Sequence, residues 1–480
     1  MKTEIIGRQE EIKLLNQYFA SDRAEFVALY GRRRVGKTFL VNQVFKGKLS
    51  FSMTGIMNGD RNAQLFAFAD AMGSYGGEIG KRPDDWYEAF QMLRLFLSEK
   101  ISESKRCVIF IDELPCFETK KSNFMNALGY FWNSWASQQQ RLLLIVCGSS
   151  TSWMMRNVVD NHGGLHDRIT HEMHLKAFSL HETEEYLLRN GFPWDRLTVL
   201  QTYMVMGGIP YYLSLLDPVE SLAQNIDRLF FGDGGEMRRE FERLYKTLFS
   251  SPEPYISMVE TLFRKKQGMT RDEVAKAMKA SPNGNLTKML QNLADCDIVR
   301  FYRVKNKTIS ARNGLYQLTD FFSIFYLQFM KNRTTNGRFW TQSLNTPVVN
   351  SWMGLAFERV CMEHIPQIMR ALRIDGIRTE YYAWRGTDSE SRRQAQVDLI
   401  IERADRMANL CEVKYSDKPY LLDKEEYEKF MNRVVLFRQC TAFSGGVIPT
   451  FITAGGLQRN SCSEHVNAQI TLDDLFETVG

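Results

Sequence analysis

The feature that most constrains the fold is a short glycine-rich segment between a strand-like run and a helix-like run. The apolar run FVALY ends at Tyr30, and an amphipathic run opens at Phe39. The segment between them matches the pattern G-x-x-x-x-G-K-[ST], in which backbone N–H groups surround phosphates. Because such a loop leads from a strand into a helix N-terminus, it predicts a parallel α/β sheet. The eight residues of the pattern are Gly31, Arg32, Arg33, Arg34, Val35, Gly36, Lys37 and Thr38.

This loop predicts a nucleoside triphosphate site, with ATP and Mg²⁺ as the expected ligands. Lys37 can reach the β- and γ-phosphates, and the Thr38 hydroxyl can ligate the metal ion. Asp112 and Glu113 close a second apolar run, VIFIDE. In such a pair one carboxylate orients the hydrated Mg²⁺, and the next polarises the attacking water. We therefore predict ATP hydrolysis, with Glu113 as the catalytic carboxylate and with Thr38 and Asp112 at the metal.

The spacing of apolar runs predicts the fold class around this loop. Continuous apolar runs are typical of parallel strands buried on both faces, and the lengths between them leave room for crossover helices. We predict a P-loop NTPase core over residues 1–178 and a helical lid over 179–250, whose first helix begins at Ser179 or Thr183. The strand-like runs are 26–30, 49–55, 108–113, 142–150 and 171–178.

With these motifs in place, the chain resembles the archaeal-type ATPase family within the AAA+/STAND group of P-loop ATPases, over roughly residues 4–240. Gly7 and Arg8 lie in a segment that looks like the family's opening motif beside the adenine. Ser149 follows an apolar strand at a place similar to the sensor that contacts the γ-phosphate. Pro210, in Gly-Gly-Ile-Pro, resembles the proline that packs on the nucleotide base.

By the same resemblance, Arg168 in His-Asp-Arg-Ile is a candidate sensor or arginine finger. It would act within its own chain or across a neighbouring subunit, and a simple ion pair with Asp167 is an equally open interpretation. Four nearby histidines suggest a metal site only weakly, because no cysteine or acidic ligand pattern accompanies them. They are His162, His166, His171 and His174.

Residues 251–335 are predicted to form a winged-helix domain. Thr270 opens a capping box, and Asn285 can cap a further helix that carries an apolar stripe. The runs 298–304 and 314–320 flank a polar tip and are typical of a β-hairpin.

The same segment holds the excess charge of the chain. Residues 251–330 contain twelve Lys and Arg and seven Asp and Glu. The difference of +5 equals the net charge of the whole chain. We predict duplex DNA binding, with the helix of Lys288 in a groove and with Arg303, Lys305 and Lys307 on the phosphate backbone. The alternative is a protein-packing module whose lysines are only solvated.

Residues 345–480 carry a second cluster of charged residues. Glu412 and Lys414 share one face of a strand because side chains alternate with period two, and Asp398 on the preceding strand can lie across from them. Two carboxylates that bind a divalent cation, with a lysine beside a water, suit metal-assisted phosphodiester hydrolysis. The spacing resembles the PD-(D/E)XK nuclease superfamily, although Gln396-Val397 replaces its proline. That resemblance implies an α/β restriction-endonuclease-like domain and adds Glu358 from the preceding helix.

Three functions follow as competing hypotheses. The first is an ATPase coupled to metal-dependent DNA cleavage. The second is an ATP-controlled switch that binds DNA or a protein partner without cleavage, and the third is a toxin-like effector restrained by the ATPase. Whether the chain forms homo-oligomers is left open. The charged N-terminus and the short apolar runs predict no signal peptide and no membrane contact, and the scattered cysteines favour free thiols in a cytoplasmic protein.

Overall fold

The computed structural model describes most of the chain, in two compact units. One unit comprises the residues up to Ala177 together with Thr247–Phe249, and the other comprises Phe178–Lys246 together with the chain from Ser250 onward. The described residues are 4–78, 80–102, 106–160, 164–165, 167–305, 309–331, 336–387, 394–441 and 443–478.

The first unit is built on a five-stranded parallel sheet with the strand order β2-β3-β4-β1-β5. Each strand falls on one of the predicted apolar runs, so the predicted α/β class is confirmed. The last strand is shorter than predicted, because its partner β1 ends at Tyr30 and the pairing stops at His174. The elements are α1 (Gln9–Ala20), β1 (Glu25–Tyr30), α2 (Lys37–Val44), β2 (Leu49–Thr54), α3 (Arg61–Ser74), α4 (Trp86–Ser102), β3 (Cys107–Asp112), α5 (Phe124–Ser134), β4 (Leu142–Gly148), α6 (Thr151–Met154) and β5 (His171–His174).

The three middle strands, β1, β3 and β4, are buried along their whole length. Helices therefore cover the sheet on both faces, as expected for apolar strands without polar alternation. Part of the cover is an aromatic cluster around the fully buried Trp86, which meets Phe117 and Phe124 edge to face at centroid distances of 5.5 and 4.7 Å. This packing holds the carboxyl ends of the strands in a fixed frame.

The second unit begins with helices. The first of them starts at a capping box in which Ser179 accepts from the Glu182 N–H, so Ser179 rather than Thr183 is its N-cap. Gly207 ends the next helix with a φ of +68°, the left-handed conformation typical of a helix C-terminus. These helices are α7 (Leu180–Arg189), α8 (Arg196–Met206), α9 (Pro210–Leu213), α10 (Leu222–Ile226) and α11 (Glu240–Leu248), the last of which ends in the first unit.

Three helices and the predicted hairpin follow. Thr270 caps its helix as predicted. The prediction of Asn285 as a cap is wrong: the helix starts two residues earlier, and the Asn283 side chain accepts from the Leu286 N–H at 3.1 Å. Asn285 instead lies within the first turn, where a side chain no longer reaches the free N–H groups. The elements are α12 (Pro252–Phe263), α13 (Arg271–Ala277), α14 (Gly284–Asp295), β6 (Val299–Lys305) and β7 (Ile309–Leu318).

The hairpin joins the C-terminal strands in one seven-stranded sheet with the order β12-β11-β10-β9-β8-β6-β7. The joint is a short parallel pairing of β6 with β8, at Val304 opposite Ala383 and Lys305 opposite Trp384. The remaining elements are α15 (Phe321–Phe325), α16 (Phe339–Ser343), α17 (Pro347–Glu363), α18 (Ile365–Ala371), β8 (Thr379–Thr387), β9 (Gln394–Arg403), β10 (Met407–Lys414), α19 (Lys424–Thr441), β11 (Gly446–Thr453), β12 (Ala468–Ile470) and α20 (Leu472–Leu475).

The segment 331–347, which has the composition of a linker, is packed where the structure describes it. Trp340 is buried against Phe325 and Trp352, and its backbone N–H donates to the Asp227 carboxylate at 2.7 Å. An apolar anchor within a polar stretch therefore keeps this segment packed against the helices. All eight cysteines lie in the described part of the chain, and none forms a disulfide. Among the described helices, none is long and apolar enough to cross a bilayer.

Candidate functional site

The predicted phosphate-binding loop is shaped by two glycines with positive φ. Gly31 has a φ of +146°, and a Cβ there would lie 2.2 Å from the Leu175 carbonyl oxygen. Gly36 has a φ of +93° and is the N-cap of α2. The loop can therefore turn tightly against the strand edge only with glycine at these positions, and it delivers Lys37 to the first turn of the helix.

Lys37 and Thr38 lie beside the carboxylate that ends β3. The buried Lys37 ammonium donates to the carbonyl oxygens of Gly31 and Arg32 at 2.7 and 2.9 Å. The Thr38 hydroxyl donates to Asp112 at 2.7 Å. This places a hydroxyl and a carboxylate, both oxygen donors, side by side. Mg²⁺ is usually bound by one or two such groups together with phosphate oxygens, so the donor set fits that ion.

Glu113 directly follows β3 in a left-handed conformation, with a φ of 50°. Its carboxylate accepts the Ser149 hydroxyl at 2.9 Å and lies 3.3 Å from the Ser149 N–H. Ser149 follows β4, the strand between β3 and β1 in the sheet. Parallel strands end at one edge of the sheet, which brings the loop, Asp112, Glu113 and Ser149 together there. A non-glycine residue held at positive φ is typical of functional sites.

The predicted opening motif reaches the same loop. Gly7 and Arg8 both have positive φ, and Arg8 caps α1. The buried guanidinium of Arg8 donates to the carbonyl oxygens of Val35 at 3.3 Å and Lys176 at 2.7 Å, and pairs with Glu11 at 3.6 Å. Arg8 therefore ties the N-terminus to the phosphate-binding loop, a contact that the sequence motif alone does not reveal.

The remaining predicted residues of this site are placed separately. Arg168 is exposed. Pro210 is the first residue of α9 in the second unit, a position that suits proline because its missing N–H is not needed there. Two of the four histidines, His162 and His166, lie outside the described residues, whereas His171 stacks on Tyr18 and meets Glu25 at 3.1 Å.

The predicted acidic residues of the C-terminal part lie on a hairpin with an irregular strand. Strand β9 pairs antiparallel with β10 up to Leu399 opposite Cys411, so the next position of this register brings Asp398 opposite Glu412. On its other side, β9 pairs with β8, where Val397 lies opposite Trp384 and Ile400 lies opposite Tyr382. Between these two pairs, β9 advances by three residues and β8 by only two.

The extra residue in β9 is a bulge at Asp398 and Leu399. Val397 and Ile400 on either side both pack into the C-terminal core, whereas Asp398 is exposed. Bulges re-aim side chains and occur often beside functional sites. Here both bulge residues line a cavity of about 380 Å³ that is also lined by Glu358 of α17.

Glu358, Asp398 and Glu412 act on one another electrostatically. Burial, followed by the negative charges of Asp398 and Glu412, raises the pKa of Glu358 to about 7. The positive charges of Arg359 and, to a lesser extent, Lys414 oppose that rise. A carboxyl group whose pKa lies near neutrality can exchange a proton under ordinary conditions, which is common at functional sites.

The other carboxylates of this cluster already have partners. Gln396 donates to Asp398 at 2.6 Å. The Glu412 carboxylate forms ion pairs with Arg433 at 2.5 Å and with Lys414 at 3.3 Å. The Lys414 ammonium also lies 3.4 Å from the Glu426 carboxylate. Glu412 and Lys414, which were predicted to share one face of the strand, thus form an ion pair.

These partners bear on the predicted metal site. Within the described ranges, no three His, Cys, Asp or Glu side chains are already spaced as ligands of one ion. Asp398 and Glu412 are oxygen donors suited to Mg²⁺ or Mn²⁺. A metal ion at Glu412 would have to displace at least one of the cationic side chains that now pair with this carboxylate. The donor chemistry fits a divalent cation only with side-chain rearrangement.

Of the basic residues predicted to contact DNA, the structure describes the side chains of Lys288 and Arg303. Lys288 is exposed on α14, and Arg303 lies 3.7 Å from Glu380. The side chain of Lys305 and the whole of Lys307 lie outside the described part. The loop 264–268 was not predicted as part of a site. Its signal in the sequence is the basic triplet Arg264-Lys265-Lys266, but nothing local connects that triplet to the acidic residues.

Comparison with known proteins gives three findings for the chain. Residues 5–216 match the model of an ATPase domain found predominantly in Archaea. An uncharacterized protein of Methanocaldococcus jannaschii is 24% identical over 452 residues, which are 88% of this chain and 94% of that protein. An uncharacterized ATP-binding protein of the same organism is 40% identical over 43 residues, 9% of this chain and 73% of that protein.

A solved structure is also similar. The Walker-type ATPase of Pyrococcus abyssi is 16% identical with a TM-score of 0.48, and the match covers 68% of this chain and 97% of that one.

Proposed function

Since residues 5–216 belong to the family of ATPase domains found predominantly in Archaea and the chain is an ATPase, we propose that it couples ATP hydrolysis to DNA binding and to metal-dependent DNA cleavage. The hydrolytic part uses the loop of residues 31–38, and the cleaving part uses the acidic residues on β9, β10 and α17. The winged-helix and nuclease-like domains, with the boundaries 251–335 and 345–480, belong to this proposal.

At the ATP site, we assign each residue the role that its position supports. Lys37 exchanges its two carbonyl partners for β- and γ-phosphate oxygens when ATP binds. Thr38 and Asp112 hold Mg²⁺, which neutralises phosphate charge. Glu113 aligns the attacking water, and Ser149 orients Glu113 and senses the γ-phosphate.

The parts farther from the loop complete the ATP site. Arg8 fixes the loop beside the adenine. The exposed guanidinium of Arg168 suits a sensor or an arginine finger, in its own chain or in a homo-oligomer. An ATPase assay over a range of protein concentrations tests the latter, because an arginine supplied by a neighbour makes the specific activity rise with concentration.

The observation that carries the cleavage proposal is the bulge at Asp398. It turns Asp398 into the cavity with Glu358, and the hairpin register sets Asp398 opposite Glu412. Asp398 and Glu412 would hold a divalent cation, which polarises the phosphodiester. Lys414, on the same face as Glu412, would hold or activate a water, and Glu358 would accept or return a proton.

The test is a cleavage assay with the purified full-length chain on single- and double-stranded DNA, with Mg²⁺ or Mn²⁺ and with or without ATP. Asp398→Asn should lower cleavage by about 100-fold or more, because it removes a metal-binding charge. Asp375→Asn is the matched control, since Asp375 is also an exposed aspartate of the C-terminal part. Equal cleavage by Asp398→Asn and wild type would refute the assignment.

A second candidate function is favoured by the partners of Glu412. Because Arg433 and Lys414 already neutralise this carboxylate, the cluster can serve as a rigid structural element in an ATP-controlled switch that binds DNA or a protein without cutting. No cleavage under any nucleotide condition, combined with DNA or partner binding that is lost in Lys37→Ala, would establish the switch instead.

A further inference from the structure

The cavity that contains Glu358 and Asp398 has a basic wall. Five cationic residues line it against two carboxylates, and they come from the end of α12, the loop after it, β6 and α17. A purely acidic site repels phosphate, so cations at its mouth are needed before a phosphodiester can approach. The cationic lining residues are Arg264, Lys265, Lys266, Arg300 and Arg359.

The loop 264–268 that supplies three of these cations is fixed by its backbone. The Lys266 carbonyl oxygen accepts from Gln317 at 2.9 Å and from Arg359 at 3.4 Å. Tyr302 donates its hydroxyl hydrogen to the Gln267 carbonyl oxygen. Gly268 closes the loop with a φ of +85°, where a Cβ would lie 2.9 Å from the Tyr316 carbonyl oxygen. The loop is therefore held by its main chain, and the side chains of Arg264 and Lys266 are not needed to fix it.

The five cations differ in how much charge they can offer to a ligand. Arg359 is buried, and its guanidinium donates to three carbonyl oxygens, from Leu318, Leu355 and Lys266. Lys265 pairs with Glu273 at 2.6 Å, and Arg300 lies 3.7 Å from Glu363. The exposed side chains of Arg264 and Lys266, in contrast, form no ion pair with any residue that the structure describes.

We propose that Arg264 and Lys266 bind the backbone phosphates of a single nucleic-acid strand and set the adjoining phosphodiester against Asp398 and Glu358. The second half of this statement rests on the proposed cleavage function, whereas the binding itself does not. A volume of about 380 Å³ is that of a small-ligand pocket, which admits one strand rather than a duplex. Strand binding of this kind depends on cationic grooves and is insensitive to sequence.

This mode differs from groove binding by a recognition helix. Lys288 lies on the exposed face of α14 and does not line the cavity. The segment 251–318 would then serve mainly as the substrate-binding wall of the acidic cavity. The two modes place the DNA-binding charge on different residues of one segment, so they can be separated by substitution.

The experiment measures binding of a fluorescent single-stranded oligonucleotide to the full-length chain in EDTA, over a range of salt concentrations. For the double variant Arg264→Ala/Lys266→Ala we expect the affinity at 0.1 M salt to fall roughly 10- to 30-fold. The steepness of log K against log salt should decrease by about 1.4, because each of the two lost phosphate contacts contributes about 0.7. The pair Arg264→Lys/Lys266→Arg should retain the slope. Lys288→Ala removes an exposed lysine of the same segment that does not line the cavity, and this variant should bind like wild type.

Unchanged affinity and slope in the double alanine variant would overturn the proposal. So would a loss of binding in Lys288→Ala alone, or wild-type binding to duplex but not to single strands. Because EDTA suppresses metal-dependent cutting, a failure of the cleavage function leaves this result untouched. Conversely, intact cleavage by the double alanine variant would remove the loop from the reaction without affecting Asp398.

Discussion

The Ser149 hydroxyl donates a hydrogen bond of 2.9 Å to the Glu113 carboxylate, which links the ends of β4 and β3. The bond fixes the direction of a carboxylate whose backbone is already in an unusual conformation. A carboxylate that aligns water must point the right way, and small errors of position are costly in rate.

We therefore expect Ser149→Ala to lower kcat for ATP roughly 10- to 100-fold while the KM for ATP changes much less. Glu113→Gln, which keeps the shape but removes the base, should lower kcat about 100-fold or more. Steady-state hydrolysis assays measure both effects. Ser150→Ala is the neighbouring control, and an equal loss in that variant would show that the effect is not specific to the Ser149 hydroxyl.

Lys37 is the residue on which ATP binding should depend most. Its ammonium is buried and satisfied by two carbonyl oxygens, so Lys37→Ala removes a charge without stranding a buried partner charge. We expect at least a 10-fold loss of ATP affinity and no measurable hydrolysis, with little change in Tm. Titration with a fluorescent ATP analogue measures the affinity. Lys46→Ala, at an exposed lysine just after α2, should match wild type.

The two glycines of the loop separate steric clash from backbone strain. Alanine at either position must hold a positive φ, but only Gly31→Ala forces a Cβ to within 2.2 Å of a carbonyl oxygen. We expect Gly31→Ala to lose about 3 kcal/mol or more and Gly36→Ala about 1 kcal/mol. The apparent Tm should fall by roughly 6–12 °C and 2–4 °C respectively, as measured by scanning fluorimetry. Equal shifts would mean that the main chain at Leu175 yields easily.

His364 should make the second unit sensitive to acid. Its Nε2 accepts from the Leu180 N–H at 3.1 Å and its Nδ1 faces the Val360 carbonyl oxygen at 2.8 Å, so the neutral ring with hydrogen on Nδ1 satisfies both. Burial lowers the pKa of His364 to about 4. Below about pH 6.5 the unfolded chain gains a proton that the folded chain refuses until about pH 4, so stability falls across this window as pH falls.

The expected loss is about 3 kcal/mol between pH 6.5 and 4, as a contribution from this one group. Urea unfolding at several pH values, followed in wild type and His364→Gln, isolates the contribution as a difference. The variant should be less stable at pH 7 but should lose less on acidification. His465→Gln, at an exposed position, serves as the control, and parallel curves for all three proteins would contradict the role of His364.

The parts of the fold that were predictable depend on signals local to the sequence. The glycine pattern, the apolar runs of the first sheet and the capping boxes at Ser179 and Thr270 each involve residues within a few positions of one another. Local rules apply to them because the same short segment both encodes and satisfies the interaction. The shift of a cap from Asn285 to Asn283 shows the limit of such rules, since either asparagine suits the position.

The parts that were not predictable depend on pairing between distant segments. The bulge at Asp398 is defined by the register of β8. Arg264 and Asp398 line one cavity only in the folded chain, where β6 joins β8 and β9 in one sheet. The bond between Ser149 and Glu113 joins the ends of two strands that are 36 positions apart in the chain. None of these leaves a periodicity or spacing in the sequence, so the acidic residues were identified while their basic wall was not.

The pairing of β6 with β8 has a consequence for how this protein can be taken apart. An excised hairpin would expose the edge of β6, and the remainder would expose the edge of β8, and each open edge is a template for aggregation. The sheet therefore crosses the predicted boundary between residues 251–335 and 345–480, and the two segments depend on each other for folding. Grafting either piece onto another protein would require a substitute strand for the missing neighbour.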